Sequence, residues 1–223
     1  MPSPGPGRKP DLSVSQAQYR RRAAQYDREL VPFEPWRVAA IDKLDLCPGE
    51  SVIDVGCGTG LSFERLRQAV GPEGRIIAFD PCAEMTAQAS KRVKLHRWHN
   101  IELATAPAHS VRLHGRADAA LFHFTHDVLR DAAALRHVLA HLKPGARVVA
   151  TGLQWAPPWN WAANGFVLMA ALYSVSSLEG LSQPWDRLAA HLVDLHVDVA
   201  PLGGIFVASG RLPVAGHGAG HAG

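Results

Sequence analysis

Two acidic residues and a set of closely spaced glycines carry the most chemical information in this 223-residue sequence. Asp54 lies near the end of an apolar run, and Gly56, Gly58 and Gly60 follow at alternate positions in DVGCGTG (54–60). Glycines in such a turn let a ligand approach backbone N–H groups that a side chain at Gly56 or Gly58 would keep at a distance. Asp80 closes the next apolar run about 20 residues later, where a carboxylate can accept both hydroxyls of a ribose. The spacing is GxGxG; a dinucleotide fingerprint would need glycine at position 61, which is Leu61. The balance tips away from a nicotinamide cofactor.

A second group of reactive types is Phe122-His123-Phe124-Thr125-His126-Asp127. Imidazole titrates near neutral pH, so His123 and His126 are candidate bases or acceptor ligands, and Asp127 reads as a helix N-cap. Further on, Trp155, Trp159 and Trp161 precede the apolar stretch 162–175. These residues suit the wall of an acceptor pocket, and a homodimer interface would need the same composition.

Positioning these groups requires strands that end on one edge. Ser51–Val55 and 75–80 are short β-branched runs bounded by glycines, and the helical repeats 61–70 and 83–93 follow them. The alternation continues with strands at 100–106 and 117–124, a helix at 127–142 stopped by Lys143-Pro144-Gly145, and a fifth strand at 146–152. Such alternation predicts a doubly wound α/β fold. Segment 153–183 breaks the rhythm and reads as a helical insertion. The spacing of Trp185, Leu188, Leu192 and Leu195 predicts a further helix. Segments 196–202 and 205–209 flank Gly203-Gly204 as an antiparallel hairpin, which completes a mostly parallel seven-stranded sheet. At the front, 14–44 reads as two helices broken by Pro32 and Pro35.

Composition narrows the function classes. The net charge is +3 and 47% of residues are hydrophobic, as expected for one domain with a full core. Basic residues are scattered apart from Arg20, Arg21 and Arg22, so no phosphate-tracking surface is legible and nucleic acid is a poor partner. Cys47, Cys57 and Cys82 form neither a CxxC pair nor an even disulfide framework, which argues for a reducing, cytoplasmic setting and against structural zinc. The longest apolar stretch is shorter than the roughly 20 residues of a membrane-spanning helix. Residues 1–13 and 212–223 read as a disordered leader and tail around a 14–211 domain. His217 and His221 in the tail are not read as metal ligands.

On these residues the sequence resembles the class I, Rossmann-like S-adenosylmethionine-dependent methyltransferases. VIDVGCGTG (52–60) looks like the family's first motif and IIAFDPCAEM (76–85) like its second. LKPGARVVATG (142–152) is similar to the region of the fifth strand, and the Gly203-Gly204 hairpin to the reversed final strand. The resemblance implies that Gly56, Cys57 and Gly58 line the methionine and ribose portions of S-adenosyl-L-methionine. It implies that Asp54 organises the amino-acid end, that Asp80 with the adjoining Pro81 holds the ribose side, and that Met85 lies against adenine. The resemblance also implies that His123 sits at the edge that faces the transferable methyl. Pro107 stands where relatives commonly carry an acid for the adenine amino group, which leaves the N–H of Ala108 for the ring, with Thr105 and His109 as substitutes. YRRRAAQYD (19–27) resembles the lid helix of small-molecule quinone and phospholipid methyltransferases, which makes Tyr19 a cofactor contact and Tyr26 a catalytic candidate.

The function expected is therefore methyl transfer to an O, N or C atom of a small, apolar or lipid-like acceptor such as a quinone. Arg20–Arg22 leave contact with anionic lipid headgroups open. The alternative is a cofactor-binding regulatory module without catalysis.

Overall fold

The structure is a computed structural model, and it describes residues 27, 30–174, 178 and 180–214. Tyr19, Tyr26, the arginine run, the expected leader and most of the expected lid helix and tail lie outside the described residues.

A 3-10 turn at Val31–Phe33 leads into α1 (Glu34–Lys43). Then come β1 (Ser51–Val55), α2 (Phe63–Val70), β2 (Arg75–Asp80), α3 (Ala83–Leu95), β3 (Ile101–Thr105) and β4 (Ala117–His123). They are followed by α4 (His126–Arg130), α5 (Ala132–Ala140), β5 (Leu142–Leu153), α6 (Trp161–Ser174), α7 (Asp186–Ala189), β6 (Val193–Val199) and β7 (Ile205–Arg211). The seven strands form one sheet in the order β3-β2-β1-β4-β5-β7-β6. β7 runs antiparallel to β5 and β6, and the other pairings are parallel.

Register explains why the chemical residues meet. Val55 lies opposite Phe79 on one side and Phe122 on the other, so Gly56, Asp80 and His123 all emerge at the carboxyl edge. β1 and β4 flank the point where strand order reverses, the place where open α/β sheets bind ligands. Side chains on β1 alternate between two cores. Ile53 and Val55 pack with Leu135 and Val138 of α5 on one face. Val52 packs with Ala40 and Ile41 of α1, with Leu44 that caps it, and with Phe63 and Leu66 of α2 on the other. Asp54 shares parity with Val52, which turns it to the α1 side.

Several expected elements differ. The helix expected over 127–142 is two, because Asp131 accepts from the N–H groups of Ala133 at 2.8 Å and Ala134 at 3.2 Å and starts α5 afresh. Asp131 is thus the capping aspartate; Asp127 lies within the first turn of α4, whose N-cap is Thr125. β5 starts at Leu142, so Lys143-Pro144-Gly145 belongs to the strand. The helix expected through Leu195 stops at Ala189, and Val193–Val199 is an edge strand. Pro35 occupies the first turn of α1, where its missing N–H costs no helical bond, so it opens that helix rather than breaking one.

The insertion sits at the carboxyl edge. Val167 and Ala171 of α6 are buried against Leu153, Leu181 and Ile205, with Phe33, Trp36, Phe124 and Trp155 packed around them. Trp159 and Trp161 are 74% and 81% exposed, so these two side chains wall no pocket among the described residues. No helix among the described residues is long and apolar enough to cross a membrane.

Candidate active site

The turn after β1 is held in a shape that only glycine adopts cheaply: φ is +64° at Gly56, +55° at Gly58 and +80° at Gly60. Main-chain bonds fix it to β2, where Cys57 N–H donates to Phe79 O at 3.0 Å. Asp80 then braces it: one carboxylate oxygen accepts from Gly58 N–H at 3.0 Å and the other from Cys82 N–H at 2.8 Å. Burial pushes the Asp80 pKa up to about 6, against the pull of those two donors. Each oxygen has a second lone pair, which suits the hydroxyls of a ribose. Glycine at Gly56 also has an internal cause. A Cβ there would lie 2.5 Å from Thr125 Cγ2, so the β4–α4 loop closes onto the turn.

Asp54 is 1% exposed, and its Oδ2 makes no hydrogen bond among the described residues. Burial raises its pKa to about 7, while the guanidinium of Arg37 lowers it and Asp80 raises it further. A buried carboxylate with an open oxygen beside a glycine turn is suited to a cationic ligand group. Burial, followed by the carboxylates of Asp54 and Asp80, pushes the Cys57 thiol well above its ordinary range and keeps it a neutral wall.

His123 lies across the turn from Asp54. Burial and then Arg37 push its pKa down to about 3, so the ring is neutral at physiological pH, and Nε2 has no partner among the described residues. Phe124 follows with φ +57°, a strained conformation for a bulky residue at a site edge. Ring contacts hold it, with Phe33 at 5.0 Å and His123 at 4.8 Å between centroids. Phe33 in turn stacks on Phe166 of α6 at 5.9 Å. His126 points elsewhere: Nε2 bonds Leu153 O at 2.9 Å, and a Cβ at Gly152 would lie 2.5 Å from its ring. Burial lowers its pKa too.

Two cavities meet at Gly56. Leu30, Arg37, Asp54, Gly58 and His123 line one. Phe79, Pro81, Pro107, Ala108, His109 and Val128 line the other, and Gly56 contributes to both. A ligand laid over Gly56 would place a charged end beside Asp54 and an apolar, planar end between Pro81 and Val128. Met85 is buried in the core and lines neither cavity. The hydroxyl of Thr105 is 2.6 Å from that of Thr86. His109 lines the second cavity and is the better placed of the two substitutes.

Sequence reading missed Arg37 and Asp27. Arg37 is 3% exposed, on the same helical stripe as Ala40, Ile41 and Leu44. A charge in phase with three core residues is the signal that marks it. Asp27 accepts from Thr59 Oγ1 at 2.5 Å and Arg92 Nη2 at 2.6 Å, which ties the chain before α1 to the glycine turn and α3.

Residues 52–145 match the methyltransferase domain family. An uncharacterized 37.1 kDa protein in transposon TN4556 of Streptomyces fradiae is 33% identical over 126 residues, 54% of this chain and 35% of that protein. The ubiquinone/menaquinone biosynthesis C-methyltransferase UbiE of Hahella chejuensis is 27% identical over 169 residues, 73% of this chain and 67% of that enzyme. The chain therefore spans about a third of the first relative's length and about two thirds of the second's. Among solved structures, N-methyltransferase NodS from Bradyrhizobium japonicum in complex with S-adenosyl-L-homocysteine aligns with a TM-score of 0.65. It is 18% identical, and the alignment covers 89% of this chain and 98% of NodS. That likeness carries the fold.

Proposed function

We propose, from the premise that residues 52–145 are a methyltransferase domain within a class I, Rossmann-like S-adenosylmethionine-dependent methyltransferase fold, that this chain methylates a small, apolar acceptor. The observation that carries the reading is Asp54, whose buried Oδ2 has no partner among the described residues beside Gly56 and Gly58. The ammonium of a methionine moiety is the complement that this oxygen and its raised pKa call for.

The residues present fit S-adenosyl-L-methionine. Asp54 would take the ammonium, Asp80 the ribose hydroxyls, and Pro81, Pro107, Ala108 and Val128 the adenine faces. When bound, the cofactor supplies an electrophilic methyl on a positively charged sulfur. The protein has then to align the acceptor and exclude water. His123 stays neutral, so it adds no second positive charge near a sulfonium, and its Nε2 can accept a hydrogen bond from an acceptor O–H or N–H. As a weak base it would orient that group and take the proton only as the bond to carbon forms. His126 supports the loop from behind. Tyr26 as a catalytic residue and Tyr19 as a cofactor contact are proposed from the sequence resemblance, since both lie outside the described residues.

An apolar acceptor is supported by Phe33, Phe124 and Phe166, which form an aromatic wall beside His123. α6 is Trp-Ala-Ala-Asn-Gly-Phe-Val-Leu-Met-Ala-Ala-Leu-Tyr-Ser and carries no charge. The quinone methyltransferase among the relatives supports the same class. Cell extract incubated with the protein and methyl-labelled cofactor should yield a labelled apolar metabolite by mass spectrometry. Pro107, which lines the adenine side, favours a second reading, cofactor binding without turnover. Retained cofactor affinity with no labelled product would select it.

A further inference from the structure

The glycine turn is held by residues that lie far apart in the sequence. Thr59 stands between Gly58 and Gly60, which impose little backbone restraint of their own, so contacts from outside set its orientation. Asp80 reaches the turn at the Gly58 N–H, and two other residues hold Thr59. Its Oγ1 donates to one carboxylate oxygen of Asp27 at 2.5 Å, and its carbonyl accepts from Arg92 Nε of α3 at 3.2 Å. Arg92 Nη2 donates to the other Asp27 oxygen at 2.6 Å and closes a three-residue clasp. The ion pair is partly exposed, 41% at Asp27 and 30% at Arg92, and alone stabilises little. Thr59 is 2% exposed, so a hydroxyl deprived of its acceptor there would be a buried polar group without a partner, and that is the larger cost.

The clasp reaches the candidate active site by two routes. Thr59 lines the Asp54 cavity together with Gly56, Gly58 and His123. Leu30 lines the same cavity, and its carbonyl accepts from Phe33 N–H at 2.9 Å where the chain turns into α1. Leu30 is three residues from Asp27, at most about 11 Å of chain, so an anchor at Asp27 limits how far that wall can move. We infer that Asp27 is a positioning residue for the cofactor site, which it shapes from outside by fixing Thr59 in the glycine turn and Leu30 beside it. This rests on the cofactor reading above. Asp27 lines neither of the two cavities that meet at Gly56, so its effect on a ligand runs through Thr59 and Leu30. The coupling is reciprocal: whatever factor the clasp adds to cofactor affinity, bound cofactor returns to the clasp.

Calorimetric titration of the full chain with S-adenosylhomocysteine, with hydrogen exchange followed over residues 27–33, tests this. Asp27→Ala should weaken binding by about 5- to 50-fold, the size of an ordinary coupling between sites. Thr59→Ser keeps the hydroxyl and should keep most of the affinity, whereas Thr59→Val, of the same shape, should lose about as much as Asp27→Ala. In the Thr59→Val background Asp27→Ala should cost clearly less than it does alone, because the two changes cut one hydrogen bond. Bound ligand should slow exchange over residues 27–33 in the unaltered protein, and less so in Asp27→Ala. Unchanged affinity in a folded Asp27→Ala protein, even with a lower Tm, would make the clasp a structural brace only and overturn the inference. So would fully additive losses in the double variant, or exchange that ligand leaves unchanged. If Asp27→Ala does not fold, the Thr59 pair decides, and equal affinities of Thr59→Ser and Thr59→Val would overturn the inference. Absence of S-adenosylhomocysteine binding by the unaltered protein would instead overturn the cofactor reading beneath it.

Discussion

Asp80 and Gly58, 22 positions apart, are joined by a 3.0 Å hydrogen bond from the Gly58 N–H to an Asp80 carboxylate oxygen. The acid at the end of β2 therefore builds the glycine turn before it meets any ligand. Asp80→Ala should weaken S-adenosylhomocysteine binding by about 1.5–3 kcal/mol, the value of hydrogen bonds to a charged group. It should also lower Tm, because the N–H groups of Gly58 and Cys82 lose their acceptor. Asp80→Asn keeps one acceptor oxygen and should fall between the two. Calorimetry and thermal melts together check this, and an affinity loss without any loss of stability would contradict the bracing role.

Gly56 answers to Thr125 as well as to a ligand. A Cβ would lie 2.5 Å from Thr125 Cγ2, and φ is +64°. Gly56→Val should therefore cost about 2–4 kcal/mol of stability from backbone strain and overpacking, in addition to blocking the site. Gly56→Ala should be milder, and Thr125→Ser in the same chain should recover part of the loss by removing the methyl. A melt in which Thr125→Ser gives no recovery would show that the contact is unimportant.

Asp54 should trade stability for binding. Its pKa is raised from 3.8 to about 7 in the folded chain, so the stability that protonated Asp54 contributes is full below 3.8 and is lost as pH rises through 7. Asp54→Asn should consequently raise the Tm of the free protein at pH 8 and change it little at pH 4. Binding runs the opposite way, because an ammonium requires the carboxylate. Affinity for S-adenosylhomocysteine should climb with pH to about 7 and then level off, with Asp80 titrating about a unit lower in the same range. His123, pushed down to about 3, stays neutral throughout, and Arg37 stays charged. A flat affinity profile between pH 5 and 8 would contradict this assignment.

The carboxyl-edge architecture was legible because its signals are local. β1 and β2 are buried runs closed by glycine or aspartate, and their observed limits, Ser51–Val55 and Arg75–Asp80, coincide with those expected. What failed were places where two local patterns compete. Leu188, Leu192 and Leu195 share helical spacing, yet Val193–Val199 also alternates every second residue, and pairing with β7 decides for the strand. Asp131 followed by three alanines was a cap signal that the longer hydrophobic period concealed. The site divides similarly. Asp54, Gly56 and Gly58 are within the first motif and Asp80 within the second, whereas Arg37 and the Phe33–Phe124–Phe166 contacts exist only once α1 and α6 dock on the edge. His123 and His126 were indistinguishable as types; the side of the loop they face separates them.

Calorimetric titration of the unaltered protein at pH 8 with S-adenosylhomocysteine, and in parallel with NAD and NADP, tests the central claim most directly. One S-adenosylhomocysteine per chain should bind, with a rise in Tm that grows with ligand concentration, while the nicotinamide dinucleotides leave both unchanged. Binding of NAD or NADP with no response to S-adenosylhomocysteine would contradict the account.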